Sequence, residues 1–196
     1  MLPEINPSSM IDIGANCGWI AEEAMAKWPG TSVVCVEGNP ACAGMLASKN
    51  LNFHIALLSD SEKEVVFYQR NIQETSTGDS IYREDTPWYE SVVKTVLPTK
   101  RLDDMGFDPA DFLKLDVQGA ELDVLRGGPD LTSKARWIQL EVPVDGVKPY
   151  NIGAPTRKEV MDYMNSIGFQ VAQILEDVPH PISREIIQQD ILFERK

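Results

Sequence analysis

Apolar and polar positions alternate along the first third of the chain with two different periods. The run "SMIDI" (9–13) encloses one aspartate among apolar residues and leads into a glycine turn, the pattern of a strand. In "GWIAEEAMAKWPG", Trp19, Ile20, Ala24 and Trp28 recur at helical spacing, and Pro29-Gly30 stops the run. "TSVVCVEGNP" is a short β-branched strand closed by Gly38-Asn39-Pro40. "ACAGMLASKN" predicts a second helix and "NFHIALLSD" a third strand. Strand, helix, strand, helix, strand is the order of a parallel sheet with helices on its faces.

The middle of the chain is less regular. "EVVFYQR" and "SVVKTVLP" predict strands, but the polar, turn-rich "NIQETSTGDSIYREDTPWYE" between them lacks a period. Long irregular loops in compact domains are usually functional or mobile, so residues 71–90 are expected to fold over a site. Regularity returns with "DFLKLDVQGAELDVLRGGP". A strand over Phe112–Val117 is followed by a helix with Leu122 and Leu125 on one face, ending at Gly127-Gly128-Pro129. "ARWIQLEVPV" is a further strand. "TRKEVMDYMNSIG" is an amphipathic helix with Thr156 as cap and Gly168 past its end. The closing strands "FQVAQILED" and "QQDILFERK" are joined by a link too short for a helical crossover, which predicts an antiparallel pair. Residues 1–196 are expected to form a single α/β domain.

Composition narrows the partners. The 30 acidic and 18 basic residues give a net charge of −12, which repels phosphate backbones and anionic membrane. A ligand with a positive centre is compatible. No apolar run approaches the ~20 residues of a membrane span, and "MLPEINPSSM" lacks the basic and apolar regions of a secretory signal. Cys17, Cys35 and Cys42 form neither an even framework nor a metal-ligand pattern, so reduced thiols in a cytoplasmic protein are expected. With His54 and His180 far apart in sequence and no Cys/His cluster, no metal site is expected.

The turn after the first strand carries the chemistry. In open α/β sheets, ligands bind beyond the carboxyl ends of the strands, where the strand order reverses. Here Gly14, Ala15, Asn16 and Gly18 form the first such turn, and Glu37 ends the second strand nineteen residues beyond Gly18. An acid at that place characteristically accepts from ribose hydroxyls. A dinucleotide and S-adenosylmethionine both fit that geometry. A pyrophosphate favours bare glycines and no acid nearby, whereas this turn is Gly-Ala-Asn-Cys-Gly with Asp12 just before it. Asp116, ending "FLKLD", supplies another acid on the same crevice. Three strand-end acids suit a sulfonium and an ammonium better than a pyrophosphate.

"DIGANCG", "VEGNP", "IALLSD", "LKLDVQGAELDVLRGG" and "QQDILFER" together resemble the FkbM-type S-adenosylmethionine-dependent methyltransferases, from about residue 10 to the C-terminus. The resemblance implies the class I methyltransferase (Rossmann-like) fold, a mostly parallel seven-stranded sheet with an antiparallel last strand and helices on both faces. It also implies methyl transfer to a hydroxyl of a sugar or other small metabolite. Gly38 stands where relatives more often carry proline. Cofactor contacts are expected from Asp12, Gly14, Ala15, Asn16, Gly18, Glu37, Gly38, Asn39, Ala56, Leu57 and Asp116. A homodimer is compatible. A non-catalytic nucleotide-binding module of the same fold and an NAD-dependent oxidoreductase are the competing readings.

Methyl transfer needs orientation and, for an unactivated hydroxyl, a base. Asp116 and Glu141 are the catalytic candidates, with Glu121 a further carboxylate near the same strand ends. Asp116 also sits where it could cap the following helix, and Glu141 where it could neutralise Lys114. His54 is expected in the core or beside the cofactor, and His180 in a loop. Tyr82, Trp88 and Tyr89 are candidates to line the acceptor.

Overall fold

The computed structural model describes residues 1–70, 77–83, 92–150, 153–180 and 182–196. Trp88 and Tyr89, and most of the loop expected to cover the site, lie outside these residues. Seven strands form the main sheet: β1 (Ser9–Ile13), β2 (Ser32–Glu37), β3 (Asn52–Ile55), β7 (Phe112–Leu115), β8 (Trp137–Pro143), β9 (Phe169–Pro179) and β10 (Ile186–Arg195). Their order is β3-β2-β1-β7-β8-β10-β9. The first five pair in parallel, and β10 runs antiparallel to both β8 and β9. The order reverses between β1 and β7, so the crevice opens where Gly14 and Asp116 leave their strands.

Among the described residues the α-helices are α1 (Trp19–Lys27), α2 (Ala43–Ser48), α3 (Glu121–Arg126), α4 (Pro129–Lys134) and α5 (Arg157–Ser166). Thr156 caps α5 in a reciprocal box with Glu159, as the sequence predicts. The helix after β7 is short: Gly127 and Gly128 end α3, and Pro129 starts α4, a separate turn of helix not expected from the pattern.

Two expectations change. "NFHIALLSD" is two strands: β3 belongs to the main sheet, while β4 (Leu57–Leu58) pairs with β6 (Val93–Lys100) in a second sheet completed by β5 (Glu64–Gln69). Trp19, assigned to the apolar face of α1, is 72% exposed. The face that packs is Ala21, Ala24 and Trp28.

Strand alternation sorts the sheet into two unlike faces. Ile11, Ile13, Leu113, Leu115, Ile138, Leu140 and Val142 pack with α3, α4 and α5 in one apolar core. The opposite face is apolar only at its base, where Met10, Phe112, Trp137 and Leu192 meet Ala24 of α1 and Trp28 just past its end. Further along the same strands this face turns polar: Asp12, Lys114 and Gln139 stand in register across β1, β7 and β8, Gln139 Nε2 donates diagonally to Asp190 Oδ2 of β10 (3.2 Å), and Asp190 itself stands opposite Glu141. His54 is exposed on the edge strand β3, its ring edge against Phe107 (4.9 Å between centroids), rather than in the core or beside the site. His180 lies in the β9–β10 link, where Nδ1 accepts from Ser183 N (3.1 Å). No helix among the described residues is long and apolar enough to cross a membrane.

Candidate functional site

A cavity of about 350 Å³ lies over the carboxyl ends of β1, β2 and β7. That is within the range of small-molecule sites. Of the residues expected at the ligand, Gly14, Ala15, Asn16, Glu37, Gly38, Ala56, Leu57 and Asp116 line it. Asp12, Gly18, Asn39 and Glu141 do not.

The turn is built to bring backbone close. Gly14 N and Ala15 N both donate to Val36 O (2.9 and 3.1 Å), stitching the β1 turn onto β2. Gly14 has φ +82°, and a Cβ there would stand 1.9 Å from the Asp116 carbonyl oxygen. Asn16 also lies in the left-handed region (φ 48°), which asparagine tolerates better than most side chains. Gly18, at φ +79°, precedes α1 and packs against Leu51 and Leu46. It supports the cavity wall from behind.

Glu37 is 8% exposed and faces the cavity. Oε2 accepts from Asn16 N (2.7 Å) and Oε1 from Asn39 N (2.6 Å), so both flanking turns aim a donor at this one carboxylate. Each carboxylate oxygen can accept more than one hydrogen bond, and acceptor capacity remains for two vicinal hydroxyls. Asn39 acts from behind: its side chain accepts from Ala41 N and donates to Asp79 Oδ2 (2.7 Å).

Asp79, Ser80 and Ile81 line the cavity and were not singled out in the sequence. Ser80 Oγ donates to Gln118 O (2.7 Å), and Ser80 bridges Tyr68 as an isolated β-pair. This short segment is thereby tied to both the Glu37 and the Asp116 sides. Tyr82, a candidate for the acceptor, instead donates to Asp123 Oδ2 (2.8 Å) and does not line the cavity.

The charged groups divide by depth. Asp12 is wholly buried, with neither oxygen accepting a hydrogen bond among the described residues. Its nearest cation is Lys114 Nζ at 3.9 Å. Asp12 therefore acts on the site through Lys114, which does line the cavity. Lys114 pairs with Asp116 Oδ2 at 3.2 Å, so its partners are Asp116 and Asp12 rather than Glu141. Despite the cost of its own burial, Lys114 is held above the ordinary lysine range by Asp116 and Asp12. Asp116 is 43% exposed in its side chain and opens on the cavity. Burial acts to raise it, but Lys114 and Gln118 hold its carboxyl below the usual value.

Asp116 does not cap α3, whose cap, Ala120, has no side-chain hydrogen bond. Glu121 does the local structural work: Oε1 accepts from Val117 N (3.1 Å) and Gly119 N (3.3 Å), and burial pushes it up to about 7. Glu141 lies behind the cavity wall, accepting from Gln118 Nε2 (3.0 Å), and burial and the neighbouring Asp116 and Glu121 push it well up.

Burial also pushes Glu37 up to about 7 and Asp12 up to about 6. In an unfolded chain these carboxyls titrate near 4.5 and 3.8. Between the two sets of values the folded chain holds more protons, so this contribution to stability is full below about pH 4 and is lost as pH rises through 6 to 7. The ligand-free protein is expected to melt at a lower temperature at pH 8 than at pH 6. The Glu37 share of that change is on the order of 1–3 kcal/mol. Thermal melts across this range check it, and Glu37→Gln should flatten the slope. A melting temperature that rises toward pH 8 would contradict these burial effects.

Comparison with known proteins places this geometry. Residues 12–171 match the model of the methyltransferase FkbM domain. The 2-O-methyltransferase NoeI of Sinorhizobium fredii is 30% identical over 152 residues, 67% of this chain and 62% of NoeI. The crystal structure of the methyltransferase FkbM from Methylobacillus flagellatus has a TM-score of 0.57 at 15% identity, covering 97% of this chain and 45% of that one. The 1,6-didemethyltoxoflavin-N1-methyltransferase of Burkholderia thailandensis, solved with S-adenosylhomocysteine bound, gives 0.53 at 13% identity, over 97% and 72% of the two chains. At such identities the structural likeness carries the fold alone. The matched region spans less than two thirds of NoeI and less than half of the Methylobacillus protein.

Proposed function

The chain belongs to the FkbM methyltransferase family, and from that membership we propose that residues 1–196 form one S-adenosylmethionine-dependent domain that methylates a hydroxyl of a sugar or other small metabolite. The observation that carries this reading is Glu37: a carboxylate fixed by two backbone donors on the cavity wall, with acceptor capacity left for both ribose hydroxyls. The glycine turn beside it brings backbone close enough for the methionine portion. Ala56, Leu57 and Phe67 give an apolar wall for the adenine.

The cofactor, when bound, supplies a methyl group activated on a positively charged sulfur. The chain's own contribution is to orient the acceptor and take its proton. Asp116 opens on the cavity and is kept charged by Lys114 and Gln118, so it is placed to orient the acceptor; the same low proton affinity makes it a weak base, and orientation is the larger part of its role. Glu141 sits deeper, behind Gln118, where burial and the neighbouring Asp116 favour its protonated form, and it does not open on the acceptor. The net charge of −12 argues against nucleic acid as acceptor. A cytoplasmic site of action and a homodimer are compatible with this reading.

Incubation with S-adenosylmethionine labelled in its methyl group, across a panel of hydroxyl-bearing sugars and small metabolites, should yield a labelled product. Asp116→Asn should cut its formation at least tenfold with modest loss of cofactor affinity. Binding of the cofactor with no labelled product from any hydroxyl acceptor would favour a non-catalytic module. Affinity for NAD with none for S-adenosylmethionine would overturn the assignment.

A further inference from the structure

The turn after β7 holds a side-chain network that runs from the cavity wall, which Gln118 and Asp116 line, inward to Glu141, Tyr150 and Gln188. Gln118 has φ +55°, a left-handed conformation that strains a residue carrying a side chain by about 1 kcal/mol or more. Its carboxamide is fully engaged. Nε2 donates to Asp116 Oδ1 (2.7 Å) and to Glu141 Oε2 (3.0 Å), while Oε1 accepts from the Tyr150 hydroxyl (3.3 Å). The Tyr150 oxygen in turn accepts from Gln188 Nε2 (2.8 Å). Because Gln188 supplies a donor to Tyr150, the phenol proton is directed onward to Gln118 Oε1, with Glu141 Oε2 at 3.5 Å on its flank. The opposite amide orientation would aim an oxygen at two carboxyl groups. Tyr150 and Gln188 are 6% and 5% exposed, so the chain of donors is closed to bulk water.

We propose that Gln118, held in one orientation by Tyr150 and Gln188, is a positioning residue that fixes the Asp116 carboxylate on the cavity wall and is the neutral donor that lets Asp116 and Glu141 share one pocket. The inference rests on the methyltransferase reading, since the carboxylate is positioned toward a cofactor that carries positive charge.

The groups around Asp116 show why a donor is needed. Lys114 of β7 and the terminal ammonium of Met1 favour its charged form. Asp12 of β1, Glu121 of α3, Glu141 of β8 and Asp190 of β10 oppose it. Four acids face two cations, and the hydrogen bond from Gln118 helps the balance fall toward a charged Asp116. A glutamate at 118 would offer no donor to either neighbour.

Gln118→Gly tests this cleanly, because glycine is at ease at a positive φ and the backbone need not move. Calorimetry should follow the affinities of S-adenosylmethionine and S-adenosylhomocysteine from about pH 3 to pH 7, a range that reaches the parental Asp116, which Lys114 and Gln118 hold below the usual carboxylate range. Their ratio reads the response to positive charge at sulfur and cancels the shared adenine and ribose contacts. In the variant, the fall of this ratio on acidification should move upward by about one pH unit relative to the parent protein. Tyr150→Phe should move it the same way by less. Should Gln118→Gly not fold, Tyr150→Phe alone decides. If folded variants keep the parental titration, the network is structural and the inference fails alone. If the parent protein binds neither compound, the methyltransferase reading fails and the inference falls with it.

Discussion

Glu37→Ala should weaken S-adenosylmethionine by roughly 2–4 kcal/mol, the loss expected when two charge-assisted hydrogen bonds to a buried carboxylate are removed. The carboxylate is held by Asn16 N and Asn39 N before any ligand arrives, so no ordering cost is added on binding. The pH dependence should have a definite sign. In the empty site burial pushes Glu37 up to about 7, and hydroxyl donors favour its charged form. Binding near pH 7 should therefore release a fraction of a proton, and affinity should fall as pH drops below 7. Calorimetry in buffers of different ionisation enthalpy measures that proton directly. Glu37→Gln keeps one acceptor oxygen, so it should lose about half as much affinity and release no proton. Unchanged affinity in well-folded Glu37→Ala would make this residue a fastener for the two turns and nothing more.

Gly14→Ala should be the most damaging single-methyl change in the chain. The added carbon would stand 1.9 Å from the Asp116 carbonyl oxygen, at a residue whose φ is +82°. Backbone strain and overlap together should cost about 3–5 kcal/mol. Relief requires β1 and β7 to part at the reversal in strand order, the floor of the cavity. Cofactor binding should then fail even in whatever fraction stays folded. Gly30→Ala is the control. It has a similar φ of +94° but open space around the new carbon, so only the strain, about 1 kcal/mol, should appear. Equal melting temperatures for the two variants would show that β1 and β7 can separate without penalty.

Much of the site was legible because it depends on local pattern. A strand running into glycines, an acid closing the next strand and a third acid closing "FLKLD" can be read from spacing alone, and the parallel order brings them together. Side-chain direction was harder to read. Asp12 follows Met10 by two residues, so strand period places both on the face toward α1, behind the cavity. Its pairing with Lys114 comes from the register of β1 with β7, which no local pattern shows. The same holds for Lys114 and Glu141: adjacent strands suggested a pair, but a nearer acid, Asp116, takes the ammonium.

The second sheet is not legible because β6 returns to pair with both β4 and β5 from beyond a long stretch without periodicity. Asp79 and Ser80 lie within that stretch. Ser80 becomes part of the site through a bond to a backbone carbonyl near Gln118, a partner that only the fold brings near. Gln118, Tyr150 and Gln188 come from three separate segments and have no spacing in common. The exposed Trp19 shows the converse limit. Helical period gives a face, but Trp19, the first residue of α1, lines the cavity rather than the core.

The most direct test of the account is a crystal structure of this chain with S-adenosylhomocysteine. The account predicts both ribose hydroxyls on the Glu37 carboxylate, adenine against Ala56 and Leu57, and the sulfur facing the opening beside Asp116. A ligand seated with its ribose away from Glu37, or a sulfur enclosed on the side away from Asp116, would contradict it.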